Sequence, residues 1–326
     1  MNWKNIVKTV PAMVAAALAL AGCSTSQPGP APTTPHTVEV TTPAAEASSL
    51  APDAEVVAFS HIVATSPEAS DIALMLAGPE KVAAVSASSA NPKMGQNPEL
   101  ARKVGKTLES GVKPDAEQIL SFTPDLVVMT IRHDSESSVA EQLRAAEVEV
   151  LTYDGHEFDT PELYAEAVQK MGDKIGTPKK AAALTDEFMA KIRDIDAKVT
   201  KNKKTPSMLA LMVRGGKILA MGPKNVVPGL AMRAGATNAG ETAGLTRTTP
   251  IDAEMLLLAN PEILFVEDFM GGGLGPFQEL LKNPALAQVP AIKNNRVVLL
   301  PMNEASSTAG LQMYKGYATI MAEVQR

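Results

Sequence analysis

Asp115-Ala116-Glu117-Gln118-Ile119-Leu120-Ser121-Phe122-Thr123-Pro124-Asp125-Leu126-Val127-Val128 returns, 137 residues later, as Asp252-Ala253-Glu254-Met255-Leu256-Leu257-Leu258-Ala259-Asn260-Pro261-Glu262-Ile263-Leu264-Phe265. Five positions are identical: the Asp-Ala-Glu triplet, one leucine and the proline. Most of the others stay apolar or acidic. Each copy reads as a short helix, a proline break and a buried strand. An offset of this length is far beyond any solenoid repeat, so the echo predicts two lobes of similar topology. From about residue 55 onward, apolar runs alternate with helical patterns, which is the signature of an α/β architecture.

Between the copies lies a helical stretch, 161–203, which divides a first lobe at 55–160 from a second at 204–326. Its first part runs from Pro161 to Lys174 and breaks at Gly176-Thr177-Pro178. Thr177 has the chemistry of a helix cap, and Pro178 suits the first helical position. Leu184, Phe188, Ile192, Ile195 and Val199 then recur at steps of three or four and form one apolar stripe. About 23 residues at ~1.5 Å each predict a helix of roughly 35 Å, long enough to bridge two small lobes.

The chain has 326 residues, 45% of them hydrophobic and 20% charged, with a formal charge of -6. That balance argues against a nucleic-acid partner, which calls for a basic surface. One cysteine excludes an internal disulfide framework and any cysteine-cluster metal site. Residues 1–22 carry Lys4 and Lys8 ahead of a short apolar run that closes on small residues, so they read as a secretory signal. The run ends in Leu20-Ala21-Gly22-Cys23, which resembles a bacterial lipoprotein cleavage box and makes Cys23 the expected lipidation site. Cleavage there leaves 28 bases against 36 acids, a charge of -8, and removes Trp3. Residues 23–54 are rich in Ser, Thr, Pro and Ala, show no apolar period, and read as a disordered tether.

The ordered set of motifs from residue 55 on resembles the substrate-binding lipoproteins of ABC importers for iron complexes and cobalamin. His61-Ile62-Val63-Ala64-Thr65-Ser66-Pro67-Glu68 is similar to the opening strand and Ser-Pro helix start of that family. Ile119-Leu120 through Pro124-Asp125-Leu126-Val127-Val128 is similar to its helix, Pro-Asp, strand signature. Pro276-Phe277 through Val289-Pro290-Ala291, followed by Asn295-Arg296-Val297-Val298, resembles its C-terminal segment. The resemblance implies two Rossmann-like lobes joined by one long helix, with a ligand in the cleft between them. It also implies that one glutamate on each lobe, here Glu117 and Glu254, meets basic residues of a permease dimer. Read from position alone, the same glutamates are ordinary acids at helix starts, where the helix dipole favours them. Two departures from the family are His61, where arginine is common, and the scarcity of aromatic residues.

In an open α/β sheet, ligands gather outside the carboxyl ends of the strands. That rule selects Arg132 and His133 in the first lobe, and Arg214, Met221, Asn225, Met270 and Met302 in the second. Met94 lies in the loop after an earlier strand of the first lobe. Arginines hold carboxylates or anionic chelates through paired N–H donors, or else sit as solvated surface residues. His133 reads either as a haem-iron ligand or as a surface histidine beside Asp134. Methionines give an adaptable apolar wall, and equally fill cores. His156 reads as an exposed loop residue.

No G-x-S-x-G, H-E-x-x-H or G-x-x-x-x-G-K-[ST] pattern occurs, and no enzyme is expected. A bare-metal importer needs three or four converging His and carboxylate ligands, and no histidine-rich loop exists. The expected protein is therefore a monomeric, extracytoplasmic receptor with no cofactor of its own, lipid-anchored to the outer face of the bacterial cytoplasmic membrane. It would capture an iron complex, a ferric siderophore ahead of haem or cobalamin, and pass it to an ABC permease dimer with its ATPase.

Overall fold

The computed structural model describes residues 55–109, 114–200 and 205–326. The signal at 1–22, the lipidated Cys23 and the tether at 23–54 lie outside the described residues.

Five short apolar runs form the first sheet: β1 (Ile62–Ala64), β2 (Val82–Ser86), β3 (Thr107–Leu108), β4 (Leu126–Ile131) and β5 (Glu149–Asp154). Their order is β3-β2-β1-β4-β5 and every pair is parallel. Helices cover both faces, so the central strands are buried on both sides and read as continuous apolar runs. Side chains alternate between the two faces. Ile62, Ala64, Leu126 and Val128 enter one core, and Val63, Val127 and Met129 the other. Four helices belong to this lobe: α1 (Pro67–Ala77), α2 (Pro98–Val104), α3 (Ala116–Leu120) and α4 (Asp134–Ala145).

Two helices follow, α5 (Pro161–Ile175) and α6 (Pro178–Asp196). The methyl of Ala181 sits directly against Gly172, so the two helices approach closely there and any larger residue at 172 would collide. α5 packs Tyr164, Val168, Met171 and Ile175 into the first lobe. α6 serves both lobes: Ala181 and Leu184 join the first-lobe core, while Phe188, Ile192 and Ile195 join the second. The expected stripe is therefore real, but the helix has 19 residues and is about 28 Å long. It stops at Asp196, whose carboxylate is held by Arg233 at 2.8 and 2.6 Å and by the Tyr317 hydroxyl at 2.7 Å. Val199 falls beyond the helix end.

The second lobe contains β6 (Ser207–Arg214), β7 (Lys217–Ala220), α7 (Val226–Arg233), β8 (Thr237–Asn238), β9 (Thr249–Pro250), α8 (Ala253–Ala259), β10 (Ile263–Asp268), α9 (Gln278–Leu281), α10 (Pro290–Lys293), β11 (Val297–Pro301) and α11 (Met313–Val324). Its sheet runs β11-β10-β6-β7-β9, with β8 beside the start of β6. β6, β10 and β11 are parallel; β7 and β9 are antiparallel additions. A two-residue turn joins β6 to β7, with Arg214 opposite Lys217. Gly215 and Gly216 both take positive φ there, as such a hairpin requires.

The echo has a structural cause in both copies. Asp115 and Asp252 cap α3 and α8, each accepting a backbone N–H at 2.9 Å. The residue before each proline, Thr123 or Asn260, is left-handed, with φ of 48° and 45°. The acid after each proline then ties the first strand of its own lobe. Asp125 accepts from the N–H groups of Ser60 and His61, and Glu262 from that of Ser207. The two copies thus feed β4 and β10, each beside the opening strand of its sheet. Both sheets belong to one continuous body, and a cleft separates them.

Candidate functional site

β1 and β4 are neighbours, but the chain continues from them to opposite sides of the sheet. This is the switch point at which a parallel sheet opens a crevice. Ser66 caps α1 there, accepting the N–H of Ala69, which places Glu68 in the first turn. Arg132 follows β4 and donates from Nη2 to Glu68 Oε1 at 2.8 Å. Glu68 is buried, and the same oxygen accepts the hydroxyl of Ser307 from the second lobe at 2.8 Å. The backbone N–H groups of Arg132 and His133 both donate to the Glu136 carboxylate, the latter at 2.8 Å, which pins the turn into α4. Arg132 also lies across Gly155, where a β-carbon would stand 2.9 Å from its Cγ.

The second lobe repeats the motif with different parts. Arg214 ends β6 and donates to both oxygens of Glu267 on β10, at 2.6 and 3.2 Å. Glu267 is buried; Arg214 is partly exposed, and its guanidinium lies 4.9 Å from the centre of the Phe269 ring. Each lobe therefore presents an arginine at a strand end, backed by a buried glutamate.

A cavity of 390 Å³ lies between them. Ile131, Arg132, Asp154, Gly155, His156 and Asp159 line it from the first lobe; Met212, Arg214, Met221, Asn225, Val226, Val227, Glu267, Ala305, Ser306 and Ser307 from the second. Four of the sequence-predicted residues meet here: Arg132, Arg214, Met221 and Asn225. Asn225 caps no backbone; its carbonyl accepts the Thr248 hydroxyl at 2.7 Å.

The other four stand elsewhere. His133 is the cap residue before α4, is exposed, and does not line the cavity. Met302 is buried after β11. Met270 sits half-exposed on a left-handed backbone, with φ of 55°. Met94 lies in the loop where the lobes touch, near the bond from Asn303 Nδ2 to the carbonyl of Pro92 at 3.1 Å. The imidazole of the cavity belongs to His156.

His156 Nδ1 and Asp159 Oδ2 share a hydrogen bond of 2.6 Å. Burial pushes the Asp159 carboxyl above its ordinary range, an effect only partly offset by that hydrogen bond. One turn beyond Glu68, Asp71 accepts from the N–H groups of Gln96 and Asn97, yet burial raises its carboxyl to about 7. Among the described residues, no group of three or more His, Cys, Asp or Glu converges as a metal site.

Sequence reasoning missed Glu68, Glu267, Asp154, Asp159, His156, Ser306 and Ser307. Glu68 reads as an ordinary acid in a first turn, and Glu267 as an interruption of a buried strand. Glu117 and Glu254 are exposed, each at the second position of its helix, as the echo predicts. Beside Glu254, Leu257 and Leu258 are 45% and 60% exposed, and among the described residues no comparable pair flanks Glu117.

Two α/β lobes with a cleft of this kind define the periplasmic binding protein fold, and the family of that name matches residues 62–304; the chain belongs to it. The relatives it resembles include the ferric-anguibactin-binding protein FatB of Vibrio anguillarum, 26% identical over 58% of this chain and 59% of that one. Another is the petrobactin-binding protein YclQ of Bacillus subtilis, 26% identical over 58% of each. The chain thus matches a little under three fifths of the length of these relatives. Among solved structures, the periplasmic heme-binding protein RhuT of Roseiflexus sp. RS-1 shares the fold, with a TM-score of 0.67 and 23% identity over 82% of this chain and 98% of that one. The family is one of binding proteins rather than enzymes. No described helix is long and apolar enough to cross a membrane.

Proposed function

We propose that the protein is the substrate-binding component of an ABC importer, taking up an iron complex of the ferric-siderophore type in the interlobe cavity. The observation that carries this reading is the facing pair of arginines at strand ends across a cavity of 390 Å³. That volume falls within the ~300–1,000 Å³ of small-molecule sites. The relatives named for ferric anguibactin and petrobactin support the chemical class.

The pairing of both arginines refines the expected passenger. Arg214 spends its donors on Glu267, and Asp154 and Asp159 add carboxylates on the facing wall. With two arginines against Asp154, Asp159 and Glu267, the cavity lining is not basic. It suits a chelate that carries both acidic oxygens and hydrogen-bond donors, not a bare polyanion. Haem and cobalamin are the second reading, supported by the fold shared with RhuT and by the apolar strip of Met212, Met221, Val226 and Val227.

In this reading Cys23 carries the lipid anchor, outside the cytoplasmic membrane, and Glu117 and Glu254 dock a monomer on the permease dimer. The deciding experiment is equilibrium dialysis of the purified mature protein against ferric siderophores, haem and cobalamin, with mass spectrometry of whatever co-purifies. Retention of a ferric siderophore is expected; retention of none of the three overturns the proposal. Cys23→Ala should release the protein from membranes, and membrane retention of that variant removes the anchor.

A further inference from the structure

The loop 91–97 leads into α2, and the segment 303–310 connects β11 to α11; the two meet where the lobes touch. Gln96 crosses between them. Its Nε2 donates to the carbonyl of Asn303 at 2.8 Å and to that of Thr308 at 2.7 Å. Both amide hydrogens of one first-lobe side chain are thus committed to second-lobe backbone. Asn303 Nδ2 in turn donates to the carbonyl of Pro92 at 3.1 Å. The approach is close: a β-carbon on Gly310, whose φ is 52°, would lie 2.8 Å from the Tyr164 hydroxyl and 3.1 Å from Gln96 Cγ. Gln96, Asn303, Thr308 and Gly310 all stand outside the cavity lining.

Gln96 does not take this position unaided. Its backbone N–H donates to Asp71 Oδ2 and that of Asn97 to Asp71 Oδ1, each at 2.9 Å, with Asn97 Nδ2 on Oδ1 at 3.3 Å. Asp71 is 1% exposed. Burying a carboxylate costs stability, and burial pushes this one up to about 7. What the carboxylate accomplishes is to hold two successive N–H groups of the loop, which aims Gln96 at the second lobe. Asp71 also lies three residues after Glu68, on the same face of α1. Glu68 accepts from Arg132, in the cavity wall, and from Ser307, inside the segment that Gln96 grips.

We infer that Gln96 is a latch between the lobes: with Asp71 as the positioning residue that aims it, it sets the resting separation of the two halves and with it the width of the cleft. Two neutral hydrogen bonds bias such an equilibrium without locking it. A passenger that draws Arg132 from Glu68 acts on the same seam, since Glu68 also holds Ser307. The inference rests on the interlobe cleft of the importer reading, but its test needs no passenger, so either can fail while the other stands.

The test measures the distance between two spin labels by double electron–electron resonance. Cys23→Ser removes the native thiol, and Glu141→Cys on α4 and Glu279→Cys on α9, both exposed, carry the labels. In this background the distance should be short and narrowly distributed. Gln96→Ala should lengthen and broaden it. Asp71→Asn should do the same, and the backbone N–H groups of Gln96 and Asn97 should exchange about 10-fold faster in that variant. The double variant should go no further than the larger single effect, because both residues act through one contact. A folded Gln96→Ala protein with an unchanged distance overturns the latch, and full additivity overturns the role of Asp71. Nuclear magnetic resonance of the unsubstituted protein decides even where a variant does not fold. Gln96 carboxamide hydrogens that exchange as fast as those of a free glutamine side chain overturn the inference.

Discussion

The two lobes solve one problem by different means. In the second, Arg214 is clamped: two bonds to Glu267, one to its neighbouring carbonyl, and an aromatic ring beneath. In the first, Arg132 makes a single bond to Glu68, through an oxygen it shares with Ser307 of the other lobe. The second arginine is a fixed wall. The first is a contact whose partner also reports how the lobes sit. A site assembled from one rigid and one adjustable half can close on its passenger without rebuilding both sides.

The strongest challenge to treating the lobes as matched halves is at their outer acids. Reversing charge at both Glu117 and Glu254 should abolish uptake while leaving ligand affinity unchanged; undiminished uptake by the double variant would remove the docking claim. The arginines give the next largest effect. Arg214→Ala leaves buried Glu267 without its partner and should cost about 1–3 kcal/mol in denaturant unfolding. Arg132→Ala should cost less, because Glu68 keeps the Ser307 hydroxyl; equal losses would erase the distinction.

A pH effect is expected in the first lobe. An unfolded Asp71 ionises near 3.8, whereas the folded one holds its proton to about 7. Its burial therefore costs nothing below pH ~4, and destabilises progressively as pH rises to about 7. Asp71→Asn should flatten that slope in thermal melts, whatever its effect on the mean stability. The smallest effect is at Gly155→Ala, which should displace Arg132 and weaken ligand binding a few-fold while the melting temperature stays within a degree or two of wild type.

Much of the architecture was legible because each repeated residue has a local job that does not depend on its surroundings. Asp115 and Asp252 cap, a left-handed residue and a proline turn the chain toward the strand, and Asp125 and Glu262 tie the opening strand. The apolar stripe of α6 was visible for the same reason, since helix period and burial speak directly through the sequence. Its end was not: the last residue, Asp196, is held by Arg233 and Tyr317 from far along the chain, partners that no local pattern reveals. The site divided along the same line. Arg132, Arg214, Met221 and Asn225 follow strands and were found by position. Glu68 and Glu267 acquire meaning only when distant segments converge. His133 and His156 both follow strands, and nothing local says which of the two lines the cavity.

The helix α6 has its roots in both hydrophobic interiors, Leu184 in one and Phe188 four residues on in the other. A rod bedded at both ends permits rocking by small angles but resists a wide swing, since unseating either end would strip apolar side chains of their packing. Letting go of the passenger then cannot depend on the receptor gaping open in solution. Under the importer reading, the force that parts the halves would come from the permease docked at Glu117 and Glu254.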